Sequence, residues 1–99
     1  MSNPVEEKDC FLCGASGART QSADGDNAER FLCMACGDYD IVGSRARTRL
    51  ENDAALRAHA SAQARCVRAS EPDKILVISV DPTTDEADFR TRARLPFPY

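Results

Sequence analysis

The chain has 99 residues, room for a single domain. Hydrophobic residues make up 42%, but many are alanine, Trp is missing, and the aromatic residues are four Phe and two Tyr. A core of that kind is thin, and so small a chain calls for a staple such as a metal or disulfides. The start, MSNPVEEKDC, has no apolar run of signal-peptide length, and nowhere are there 18 consecutive apolar residues. These features argue against a membrane span and predict a cytoplasmic protein.

The net charge of −3 is unevenly spread. Residues 1–43 carry three basic and eight acidic side chains, residues 44–70 carry six arginines against Glu51 and Asp53, and residues 71–99 carry four basic and six acidic ones. A general preference for nucleic acid is not expected from that balance. One basic segment between acidic ones is.

Residues 1–9 read as a flexible lead-in. Two similar strings, CFLCG and CMACG, then bracket residues 10–37. Between them Asp24-Gly25 is a hairpin turn signal, with strands expected at 19–22 and 29–32. Residues 38–42 (DYDIV) alternate and read as a short strand ended by Gly43. Ser44 looks like the N-cap of a helix running to about residue 51. Asn52 and Asp53 are capping residues, and a second helix is expected from there. Its inner stripe would be Leu56, His59, Ala60, Gln63 and Val67, with Arg57, Ser61, Arg65 and Arg68 opposite. Residues 70–73 form a turn. Lys74–Val80 (KILVISV) is the most strand-like segment, with four β-branched residues in seven. It either completes a sheet or pairs with a partner. The tail after Asp85 is loosely packed or docked by Leu95, Phe97 and Tyr99.

The chemistry lies in Cys10, Cys13, Cys33 and Cys36. Thiolates are soft donors, and four in tetrahedral array suit Zn²⁺. A Cys-x-x-Cys turn points two sulfurs at one metal, and a hairpin of the 19 intervening residues can bring two such turns together. Gly14 and Gly37 follow the two pairs and permit the backbone each turn needs. One structural zinc ion is therefore predicted, and the N-terminal half is expected to be unfolded without it. The alternatives are a rubredoxin-like iron site, a pair of redox dithiols and disulfides. The first lacks the aromatic core, the second the βαβ setting, and the third an oxidising compartment. The string DGDNAE reads as a polar hairpin tip rather than a calcium loop.

Over about residues 8–45 the two knuckles resemble the zinc ribbon and treble-clef superfamilies of four-cysteine domains. FLCMACGDYDIVGSRA is similar to a pattern in small bacterial zinc-finger proteins, where a second knuckle leads through a short strand to a helix. CFLCG and FLCMAC also look like their counterparts in the N-terminal zinc domain of the ClpX unfoldase. That resemblance implies a dimerising treble clef that captures adaptors and substrates. In that family a helix starts at the second knuckle, whereas Gly37, Ile41-Val42 and Gly43 here favour a strand.

The expected architecture is α+β. A zinc ribbon over residues 10–43 packs on one or two helices over 44–69, followed by a strand and tail over 70–99, with 10–99 forming one domain. His59 reads as a packed helix residue and Cys66 as a small buried apolar one. Catalysis is not expected, because four cysteines leave zinc no open position and no catalytic motif is present, so no small-molecule substrate is expected either. The leading function is a non-catalytic module binding another protein or a second copy of itself. The alternative is nucleic-acid binding through Arg45, Arg49, Arg57, Arg65 and Arg68.

Overall fold

Short alternating segments separated by glycine turns build most of the molecule. The computed structural model describes residues 6–23 and 28–93. Its strands are β1 (Glu6–Lys8), β2 (Ala18–Ala23), β3 (Ala28–Cys33), β4 (Gly37–Val42), β5 (Lys74–Val80) and β6 (Ala87–Ala93). They form one sheet in sequence order, antiparallel except for the β4–β5 pair. Two parallel neighbours cannot be joined by a tight turn, so the chain crosses between them through helices α1 (Ser44–Glu51) and α2 (Ala54–Ser70). The result is a mixed α+β fold, as expected.

Both helices lie against β4 and β5. Tyr39, Ile41, Leu76 and Ile78 point to that face and meet Ala46 and Leu50 from α1 and Ala60, Ala64 and Val67 from α2. The spacing of three and four along each helix makes those contacts a stripe. The opposite sheet face is polar at its centre. There Asp40, fully buried, sits across the register from Arg30, whose Nε and Nη2 donate to its two carboxylate oxygens at 2.7 and 3.0 Å. Arg92 of β6 donates to the same carboxylate.

The two-helix reading is correct. Asp53 caps α2 by accepting from the Leu56 backbone N–H at 2.9 Å, and Arg57 donates to the last carbonyls of α1, Leu50 and Glu51. The start of α1 differs from expectation. Gly43, with φ +85°, is the N-cap, and Ser44 is the first helical residue. The left-handed step turns the chain off the sheet, so the glycine takes the cap position.

Three other expectations are corrected and one open alternative is decided. Residues 6–8, placed in a flexible lead-in, pair with β2. Of the two alternatives for Lys74–Val80 the first holds: β5 has β4 on one side and β6 on the other, so it completes the sheet. The α2 stripe is rotated: Ser61 is buried beside Ala60 and Ala64, while His59 is exposed, its ring edge-on to Phe89 at 5.2 Å. Small residues let the helix approach the sheet closely, and the bulkier imidazole is left at the margin. Cys66, expected inside, is exposed because the stripe passes through Ala64 and Val67. The hairpin tip at 24–27 and the tail residues Leu95, Phe97 and Tyr99 lie outside the described residues.

Candidate metal centre

Each cysteine pair sits where the chain reverses between two antiparallel strands. Cys10 and Cys13 occupy the β1–β2 connection, closed by bonds from Gly14 N–H to the Cys10 carbonyl (2.9 Å) and from Cys10 N–H to the Ala15 carbonyl (2.8 Å). Cys33 ends β3 and pairs across the register with Gly37, so Met34, Ala35 and Cys36 form the β3–β4 turn. Gly14 and Gly37 have φ of +77° and +101°, the left-handed conformation expected of them.

The sheet order brings the two turns together. The four ligand sulfurs all lie within 4.8 Å of one another. Cys10 Sγ is 3.5 Å from Cys36 Sγ, and Cys13 Sγ is 3.5 Å from Cys33 Sγ. Cys10, Cys33 and Cys36 are buried and Cys13 is half-buried. Each close contact links one knuckle to the other, so the cluster joins two hairpins. Among the described residues it is the one group of three or more metal-ligating side chains with such convergence.

The electrostatics of the cluster favour a cation. A hydrogen bond with Cys36 pulls the Cys10 thiol down to about 4, aided by the Tyr39 hydroxyl and the Cys13 and Leu12 backbone N–H groups, against the cost of burial. The same contact pushes the Cys36 thiol up, and burial adds to it. Burial is the main cause that raises Cys13. Four thiols this close cannot all ionise on their own, and a central positive charge removes the conflict. The four cysteines are thus positioned to hold a metal ion. The Cys36 N–H also donates to Cys33 Sγ at 3.5 Å, a contact that spreads thiolate charge into the backbone.

Helix α2 is anchored to the second knuckle. Arg68 donates to the Met34 carbonyl at 2.6 Å. A Cβ at Gly37 would lie 3.1 Å from Arg68 Cδ and 3.4 Å from the Ala64 carbonyl oxygen, so the missing side chain is what lets the helix sit there. Neither contact is legible in the sequence. Tyr39 is a further site residue, one that the cysteine spacing does not single out. Its hydroxyl lies 3.2 Å from Cys10 Sγ, and its ring stacks on Phe31 at 5.0 Å. The one signal for it in the sequence is its place three residues past the second knuckle, in Cys-Gly-Asp-Tyr.

The arginines do not form one stripe. Arg45 and Arg49 converge on Asp85, with guanidinium-to-carboxylate distances of 3.3 and 3.5 Å, beside an open cavity of about 460 Å³ that Ser44, Thr48 and Asn52 also line. Arg57 caps α1, and Arg68 holds the knuckle. Arg65 is exposed on α2. Arg47 lies over the Phe11 ring at 5.3 Å and pairs with Glu29 and Glu51. No described helix is long and apolar enough to cross a membrane. No family model, curated protein or solved structure matches the chain, so its four-cysteine centre is the feature on which a functional reading rests.

Proposed function

We propose that the chain is a zinc-ribbon-like module in which one structural zinc ion holds two hairpins together, and that it acts by binding another protein or a second copy of itself rather than by catalysis. The observation that carries this reading is the convergence of four sulfurs within 4.8 Å. A tetrahedron with Zn–S arms of about 2.3 Å has edges of about 3.8 Å, between the closest contacts and that outer limit. Small adjustments of the side chains reach it. Four thiolates complete the shell, so the ion has no position for water or substrate and its role is to hold the fold. A reducing compartment such as the cytoplasm suits free thiolates.

The interaction role draws on the second knuckle. Met34 is 87% exposed, the one large apolar side chain so placed among the described residues. It sits on a turn that the metal would stiffen and that Arg68 pins from behind. A flexible thioether on a rigid turn is a contact point that loses little entropy on binding. With β5 inside the sheet, this turn replaces the strand edge as the favoured contact.

A second reading is supported by the meeting of Arg45 and Arg49 at one cavity, where the two guanidiniums already hold the Asp85 carboxylate and a phosphate would take its place. In that reading the chain is a nucleic-acid-binding accessory or regulatory protein. Binding would then fall steeply with added salt.

Native mass spectrometry tests the leading reading. The expected result is one zinc per chain, with assemblies that Met34→Asp dissolves while zinc is retained. An apo mass carrying two disulfides removes the zinc assignment. A strictly monomeric chain that binds oligonucleotides in a salt-sensitive manner favours the second reading.

A further inference from the structure

Tyr39 is completely buried in β4, and a phenylalanine would fill its stacked place against Phe31 equally well. What the tyrosine adds is one hydroxyl inside the core. A buried hydroxyl needs a partner, and this one faces Cys10 Sγ at 3.2 Å. A metal-bound thiolate has no proton to give, so with an ion in place the direction is settled: Tyr39 Oη donates and sulfur accepts. The ring is held between sheet and helices, so the hydroxyl is aimed before any metal arrives. Cys33 Sγ has its own donor in the Cys36 N–H. Four thiolates on a divalent ion leave two negative charges in a buried site, and such donors spread that charge.

We propose that Tyr39 is a positioning residue of the metal centre: its hydroxyl donates to the Cys10 thiolate, fixes that sulfur and raises the affinity of the site. The inference rests on the reading of the four cysteines as metal ligands and goes one shell beyond it. Outer-shell donors of this kind are worth about 10–100-fold in metal affinity. Cys10 belongs to the first knuckle and Tyr39 follows the second. The bond therefore links the two hairpins from outside the ligand set and slows departure of the metal.

Tyr39→Phe is the test, since it removes one oxygen and keeps the ring. Zinc affinity is measured by competition with a chromophoric chelator, and the wild-type and variant chains are also loaded with Co²⁺ for absorption spectroscopy. The expected variant binds one ion tetrahedrally with about 10–100-fold weaker zinc affinity. Its sulfur-to-cobalt charge-transfer band moves to lower energy, because a thiolate without its donor gives up charge more readily. Phe31→Leu is the control. It loosens the ring stack but keeps the hydroxyl, and its band is expected at the wild-type position. Unchanged affinity and band in Tyr39→Phe overturn the inference while leaving the metal reading intact. An equal band shift in Phe31→Leu also overturns it, because packing alone then explains the effect. A wild-type chain that takes up neither ion removes the metal reading itself, and the inference with it.

Discussion

Gly37→Ala probes the seat between α2 and the second knuckle. Two costs add at this position. At φ +101° an L side chain is strained, which costs about 1–2 kcal/mol. The new methyl also meets Arg68 Cδ at 3.1 Å, Arg68 Cβ at 3.2 Å and the Ala64 carbonyl oxygen at 3.4 Å. Arg68 Cδ can swing aside, but its Cβ and the helix backbone cannot without moving α2. Overpacking of this kind costs about 1–3 kcal/mol. The sum is about 2–5 kcal/mol, a drop in melting temperature on the order of 10–40 °C for a domain of this size. Gly14→Ala supplies the comparison. It has φ +77° and nothing within 4 Å of the new methyl, so it carries only the conformational cost of about 1–2 kcal/mol. Both variants are melted in the metal-loaded form by circular dichroism, with metal content checked. Equal losses in the two would refute the idea that α2 rests directly on the knuckle.

Leu50→Ala empties a fully buried site between α1 and the sheet and is expected to cost about 2–5 kcal/mol, read by urea denaturation. Asp40→Asn removes the carboxylate that Arg30 and Arg92 share and is expected to cost about 3–5 kcal/mol; a near-neutral result would show that neither guanidinium depends on it. Asp53→Ala is expected to cost about 1 kcal/mol by removing the α2 cap. Stripping the metal with a strong chelator is expected to collapse the amide dispersion of β1 to β4 in NMR spectra, and a well-dispersed spectrum that survives it would count against a metal staple. Metal affinity is expected to fall as pH falls, because protons compete for the thiolates that the ion requires.

The sequence is most legible where local chemistry repeats. The two Cys-x-x-Cys-Gly strings mark all four members of the sulfur cluster, since the spacing itself dictates the turn. The β-branched run at Lys74–Val80 matches its strand end to end, and Asp53 marks the second helix. β6 carries no such signal, because Ala87–Ala93 (ADFRTRA) has one large apolar residue, Phe89. It is a strand because the strongly β-prone β5 offers it a ladder, from Val80↔Ala87 to Lys74↔Ala93. β1 is silent for the same reason: three polar residues take their conformation from the strand beside them.

The candidate site divides in the same way. The ligand set depends on residue type and spacing, which a one-dimensional string carries. Its supports depend on which segments meet. Tyr39 beneath Cys10, Arg68 on the Met34 carbonyl, and Asp85 against Arg45 join residues 29, 34 and 40 positions apart. The arginines show the difference most clearly. In sequence they form a basic helical segment, and helical periodicity suggests a shared face. In the folded chain Arg57 is consumed in capping α1 and Arg68 in holding a turn, while Arg45 and Arg49 face a carboxylate from the β5–β6 connection. By itself the sequence determined the four cysteines of the site, the helix break and the strands with their own apolar pattern, because each follows from neighbours within a few residues. Only the tertiary structure decided the sheet's full width, the rotation of α2 and the donors around the sulfurs, because those follow from packing between distant segments, where small residues set how closely the elements approach.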